Sequence, residues 1–248
     1  MIIKGNFPFL KETGHVISLV GGGGKTTLMY AFAEYYAKRG LKTLATTTTH
    51  IFRPEETLWA KTAEEAEELW RHGSYAVAGR PAESGKLAAL PETELAVFME
   101  KADVVLIEAD GAKRLPCKVP ASHEPVIPDF CDIVIGVMGM DAAGKPLSEI
   151  CFRPELAAEL LHTEETDVLT PEGMAEILAS ERGARKLVGG RDYYVVLNKC
   201  DDEERICTAK KIRRLLSEKG VEHCVIACLG KEPVLRSEGG FPESSGAF

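Results

Sequence analysis

A chain of 248 residues with 30 Lys and Arg against 38 Asp and Glu carries a formal net charge of −8, which argues against a broad nucleic-acid-binding surface. Hydrophobic residues make up 45% and charged residues 27%, the balance of a globular protein, and no apolar run approaches the roughly 18 residues of a membrane span. Seven cysteines without a C-x-x-C pair, and no secretory segment at the start, lead to the expectation of a reducing, cytoplasmic compartment.

In chain order, Val16-Ile17-Ser18-Leu19-Val20 reads as a buried strand over 15–20. It runs directly into Gly21-Gly22-Gly23-Gly24-Lys25-Thr26-Thr27. Consecutive glycines let backbone N–H groups turn towards an anion. A following helix N-terminus adds partial positive charge, and Lys25 adds a full one. The pattern G-x-x-x-x-G-K-[ST] requires glycine where Leu19 stands. The loop instead resembles the compact loops of metal-chaperone and signal-recognition-type NTPases, and the G-x-x-G-K-T-T loop of Mur-type ligases. Residues 25–39 place Leu28, Phe32, Tyr35 and Tyr36 on one helical face, and Gly40 stops the helix. A second strand over 42–45 completes a strand–helix–strand unit, which implies a right-handed crossover and parallel pairing. Thr46-Thr47-Thr48-Thr49-His50 closes that strand. Thr47 and Thr48 are switch-like candidates for contact with a terminal phosphate or a metal, while His50 reads as a surface residue or a general base.

Thr62 and Glu65 form a capping box for an acidic helix over 62–71, and 75–78 reads as a strand. Three near-continuous apolar runs follow, at 103–107, 132–138 and 193–197, as expected of strands covered on both faces. Open α/β sheets bind ligands at the carboxyl ends of their strands, so the residues just after these runs are the site candidates. Glu108-Ala109-Asp110-Gly111-Ala112-Lys113-Arg114 follows the first. Glu108 or Asp110 would hold magnesium or orient water, with Thr26 supplying a hydroxyl to the metal. Lys113, Arg114 and Lys118 are available to phosphate charge, and a solvated loop is the alternative reading for the first two. Asn198-Lys199-Cys200-Asp201 follows the third run and resembles the N-K-x-D element of GTP-binding proteins. A carboxylate such as Asp201 accepts from both the ring N–H and the exocyclic amine of guanine, Asn198 supports the loop, and the Lys199 stem lies over the base. The alternative is a polar turn in which Asp201 or Asp202 caps the next helix.

Pro116, Pro120, Pro125 and Pro128 make 115–130 a stiff irregular loop, long for a connector. Within it, His123-Glu124 reads as a loop-fixing pair. Arg153 reads as a salt-bridge former or a phosphate-facing arginine. A turn over 184–190, a basic amphipathic helix over 203–219 and a last strand from Val221 to Leu229 complete the pattern, with Cys224 and Cys228 as thiols in that strand and its exit.

These blocks together resemble the YqeC-type family. The resemblance rests on Val20 to Thr26, Thr46 to Thr49, Glu108 to Ala112, Lys118-Val119-Pro120-Ala121, His123 to Pro128, Gly139-Met140-Asp141 and Asn198 to Asp201. It implies an accessory role in maturing selenium-dependent molybdenum hydroxylases, with the hydroxylase or its cofactor-assembly proteins as partners.

The expected fold is a three-layer P-loop NTPase-like α/β domain with a mostly parallel sheet, spanning 1–232 and followed by a loosely ordered tail over 233–248. The expected activity is magnesium-dependent binding and hydrolysis of a nucleoside triphosphate, GTP favoured over ATP. Gly22, Gly23, Gly24, Lys25, Thr26 and Thr27 would bind the phosphates, Lys25, Glu108 and Asp110 would act in catalysis, and Thr26 and Asp110 would hold Mg2+. Neither nucleic acid nor a membrane is an expected partner. Two alternatives stand beside this reading: a phosphotransferase or Mur-like ligase acting on a small molecule, and a nucleotide-sensing adaptor with negligible turnover.

Overall fold

A computed structural model describes residues 7–228; the expected tail over 233–248 and Leu229 of the expected last strand lie outside the described residues. Strand β1 (Val16–Gly21) leads through the glycine loop into helix α1 (Lys25–Ala37) and then β2 (Thr43–Thr47). Next come β3 (His50–Phe52), β4 (Trp59–Ala60), α2 (Ala63–Arg71), β5 (Ala76–Ala78), β6 (Arg80–Ala82), β7 (Lys86–Ala88) and α3 (Glu92–Met99). The central segment contains β8 (Val104–Glu108), β9 (Cys117–Lys118), β10 (Ile133–Gly139), α4 (Leu147–Ile150) and β11 (Cys151–Phe152). The chain continues through α5 (Pro154–Leu161), α6 (Pro171–Ala179), β12 (Asp192–Asn198), α7 (Glu203–Glu218) and β13 (His223–Ile226).

Eight strands form one sheet in the order β13-β12-β10-β1-β8-β2-β5-β4, and every pairing in it is parallel. The expected three-layer α/β fold is therefore present. Antiparallel strand pairing makes up a separate small sheet, β3-β7-β6, and one isolated antiparallel bridge joins Pro146 to Val168. Its strands are three residues each, too short for an alternation pattern to register.

The near-continuous apolar runs are explained by burial on both faces. Ile17, Leu19, Val104, Leu106, Ile133, Ile135 and Val137 face α1 through Leu28, Met29, Phe32 and Tyr36. Their neighbours split between two clusters on the other face. Val105 and Ile107 pack with Trp70 of α2 and Phe98 of α3. Val134, Met138, Val195 and Leu197 pack with α6 and α7. β1 lies in the middle, paired with β10 on one side and β8 on the other, so the loop after it opens at the centre of the carboxyl edge.

Several elements differ from expectation. β2 runs through Thr47, so Thr46 and Thr47 are strand residues. Helices α3, α4, α5 and α6 lie outside the expected elements. The signals for α5 and α6 are Pro at the first helical position, and in α6 the Thr170 hydroxyl accepting from Gly173 N–H. At Thr62 the cap forms, with its hydroxyl accepting from Glu65 N–H, while Glu65 Oε2 accepts from Lys61 N–H, one residue before the cap position of the expected capping box. Asp202, rather than Asp201, caps α7.

Phe32 is fully buried, with Phe7 and Phe9 edge-on to its ring at 5.1 and 6.0 Å. Phe32→Ala is expected to cost about 3–5 kcal/mol, because three packed rings cannot collapse into the void. Urea denaturation reads this directly, and a loss below about 1 kcal/mol would contradict the assigned packing.

Candidate functional site

The glycine loop is fixed by its neighbours' backbones. Gly22 N–H donates to Val137 O at 2.9 Å and Gly23 N–H to Leu115 O at 3.0 Å. A Cβ on Gly23, which sits at φ 77°, would overlap the Gly139 backbone. At Gly24, φ 116°, it would lie 2.5 Å from the Asn198 amide, which itself donates to Gly23 O at 2.8 Å. Gly22 and Gly23 thus give the loop its shape, and their N–H groups are engaged by the protein. The first N–H groups of α1, beginning at Lys25, have no intrahelical acceptor.

Lys25 is folded back into the protein and only 4% exposed. Its Nζ donates to Gly21 O at 2.5 Å and stands 3.1 Å from Asp110 Oδ1 and 3.9 Å from Glu108 Oε1. Thr26 Oγ1 donates to Glu108 Oε2 at 2.5 Å. Asp110 Oδ2 accepts from Gly21 N–H at 3.1 Å. Asp110 Oδ1 is buried without an aligned hydrogen bond, although the Lys25 charge lies beside it. The four candidates Lys25, Thr26, Glu108 and Asp110 therefore meet at one point.

Behind them lies a second layer, in which Glu124 fixes its loop and Arg153 forms a salt bridge, as expected. Lys118, with a completely buried side chain, reaches Asp110 Oδ2 at 3.2 Å and Glu124 Oε2 at 3.0 Å, and donates to Gly111 O at 2.6 Å. Arg153 Nη1 donates to Glu124 Oε2 at 2.6 Å. Lys25, Lys118 and Arg153 thus alternate with Glu108, Asp110 and Glu124, so the buried charges are matched in number. Burial pushes the Glu108 carboxyl above its usual range, against the pull of Lys25 and the Thr26 hydrogen bond. Burial also acts upward on Glu124, but the hydrogen bond and charge of Lys118, with Arg153, outweigh it and hold the group below its usual range. The sequence signals were Lys118 and Glu124 within one proline-rich loop; nothing in the linear order linked them to Asp110.

The remaining candidates are placed elsewhere. Thr27 is exposed on the first turn of α1. Thr47 Oγ1 donates to Glu108 O at 2.9 Å, and Thr48 Oγ1 to Val126 O at 2.8 Å, so both brace the acidic strand end. His50 is exposed on β3. Lys113 and Arg114 are exposed, with their cationic heads over the rings of Phe152 and Phe52. Lys199 pairs with Asp141 at 2.7 Å, and Asp201 with Arg205 at 3.0 Å and the Cys228 thiol at 2.8 Å. Among the described residues no three His, Cys, Asp or Glu side chains are grouped to hold a metal, and no helix is long and apolar enough to cross a membrane.

Removing Lys118 would strand two buried carboxylates. Lys118→Met is expected to destabilise the fold by about 3–5 kcal/mol, with part of the loss recovered when Glu124→Gln is added. Urea midpoints of the single and double variants check this, and full additivity would contradict the coupling. Glu108 yields a second expectation. Its folded carboxyl holds a proton at pH values where the unfolded chain, with its ordinary value of 4.5, has released it. Its contribution therefore improves as pH falls through the raised folded value towards 4.5, and is lost as pH rises. Glu108→Gln should remove that component from the stability profile above the ordinary value of 4.5; an unchanged profile would contradict the raised hold on the proton.

Comparison with known proteins places this geometry in a family. The family model described as YqeC protein matches residues 17–155, a stretch that contains the glycine loop and every member of the buried charge network. The Escherichia coli (strain K12) protein described as "Uncharacterized protein YqeC" is 36% identical over 141 residues, covering 54% of this chain and 55% of that protein. The matched region thus spans about half the length of that relative. With the family model covering more than half of its residues, the chain belongs to the YqeC family.

Proposed function

We propose that the chain binds a magnesium–nucleoside triphosphate at the carboxyl edge of β1 and hydrolyses it, serving as an accessory factor in the maturation of selenium-dependent molybdenum hydroxylases. The observation that carries the nucleotide reading is the convergence of Lys25 and Thr26, at the start of a helix, on Glu108 and Asp110. The maturation role, with a molybdenum hydroxylase or its cofactor-assembly proteins as partner, comes from the family resemblance alone.

On this reading the phosphates are bound by the unpaired N–H groups opening α1 and by the Lys25 ammonium. The donor set suits magnesium, which prefers oxygen ligands: the Thr26 hydroxyl and the Asp110 carboxylate, one oxygen of which is buried without a hydrogen bond. Magnesium would neutralise charge on the β- and γ-phosphate oxygens, the main requirement of phosphoryl transfer. Lys25 would exchange its contacts with Gly21 O and Asp110 for the phosphates, and Lys118 would keep Asp110 charge-balanced while it did so. Glu108, whose carboxyl has a heightened hold on a proton, is the group suited to orient and deprotonate the attacking water. Asn198 supports the loop through Gly23 O, and Asp201 would read guanine after releasing Arg205.

Titration of a fluorescent nucleotide analogue in the presence of magnesium tests the reading. Lys25→Ala should weaken binding about tenfold to hundredfold, the worth of one charged hydrogen-bonding group. Unlabelled GTP should compete better than ATP, and Asp201→Ala should abolish that preference. Undiminished binding by Lys25→Ala would remove the nucleotide reading, and equal competition by GTP and ATP would remove the role given to Asp201.

A further inference from the structure

Three cations beside the loop lie outside the matched charge network. Lys86, Lys113 and Arg114 have no carboxylate within salt-bridge distance among the described residues. In a chain with a net charge of −8, Lys86 and Arg114 come from separate elements and yet bring their charges to the same ring, Phe52. Their heads are held by rings. The Arg114 guanidinium lies 4.4 Å and the Lys86 ammonium 5.4 Å from the centre of the Phe52 ring, and Lys113 lies 4.9 Å from that of Phe152. The Phe52 side of this platform faces solvent, with the residue 43% exposed.

The platform is built onto the loop. Lys113 and Arg114 are consecutive non-glycine residues in the left-handed region, at φ 47° and 65°, a conformation that L-residues other than glycine rarely adopt. The turn is kept there from both ends: Lys118 binds Gly111 O, and Leu115 N–H donates to Ala112 O at 2.9 Å while Leu115 O receives Gly23 N–H. From the other side, Phe52 O accepts from the Tyr30 hydroxyl, one turn beyond Thr26 on α1. Two separate elements, the 111–115 turn and the small sheet, thus present fixed positive charge and an exposed ring beside the same mouth.

We infer that Lys86 and Arg114, gathered at Phe52, form a binding site for a second, small anionic ligand carrying at least two negative charges, phosphorylated or polycarboxylate, adjacent to the proposed nucleotide. A guanidinium already stacked on a ring is desolvated on one face and offers its edge donors to a planar or tetrahedral anion. The site's place beside the triphosphate rests on the nucleotide reading; its affinity for anions does not.

Calorimetric titration with inorganic phosphate and with tricarballylate tests the inference, on protein saturated with magnesium and a non-hydrolysable nucleotide analogue and on nucleotide-free protein. At least one probe should bind the loaded wild type, more weakly as salt rises. Lys86→Gln with Arg114→Gln should lower that affinity by about tenfold or more, while analogue affinity changes by less than about twofold. Absence of probe binding to the loaded wild type, or unchanged probe affinity in the variant, overturns the inference. So does an equal loss of analogue affinity, which would assign these cations to the nucleotide. Should no nucleotide bind at all, the nucleotide-free arm decides separately: probe binding lost in the double variant and kept in Lys25→Ala supports the anion site, and the reverse overturns it.

Discussion

The Lys25 ammonium, enclosed between Gly21 O, Asp110 and Glu108, is the contact on which the architecture of this edge depends. A buried cation is tolerable only when its charge is met and its donors are used. Meeting it requires the end of β8 to stand beside the end of β1, which the parallel register of these strands, with Leu19 opposite Glu108, provides. The same contact draws the start of α1 down onto the sheet. The glycine loop is therefore closed over its own lysine, and the charges that would serve a ligand are held by one another.

That arrangement propagates outward because each buried charge needs another. Asp110 faces Lys25 on one oxygen and Lys118 on the other; Lys118 requires Glu124, and Glu124 requires Arg153. The irregular segment between β8 and β10 is thereby fixed without regular secondary structure over most of its length. The same segment supplies Leu115 O to Gly23 and Pro116 O to Gly139, so the glycine loop, the proline-rich loop and the start of α5 form one mechanical unit. Low local polarity makes each pair costly to break singly.

The family match covers this unit and stops at residue 155. β12, α7 and the Asn198–Asp201 turn lie beyond it. The turn nevertheless joins the loop physically, through the Asn198 amide on Gly23 O and against Gly24. The glycine-loop end of the candidate site thus falls within the matched segment, whereas the base-reading end proposed for Asp201 lies in the part of the chain outside it.

The sequence by itself determined the strand–loop–helix unit and the parallel character of the sheet. Val16 to Val20, the glycines and Lys25-Thr26 are contiguous, and near-continuous apolar runs admit burial on both faces only. The acidic strand end was legible for the same reason, since Glu108 and Asp110 follow an apolar run directly. Tertiary structure alone decided what these groups touch. Lys118 was equally consistent with a phosphate contact until the fold placed Asp110 and Glu124 against it. The amides of Gly22 and Gly23 were expected to face a ligand, and the carbonyls that occupy them come from residues 115 and 137, far away in the chain. Local pattern encodes which backbone conformation and which face a residue favours. Which charge neutralises which depends on distances between strand ends, and those exist only once the sheet has assembled.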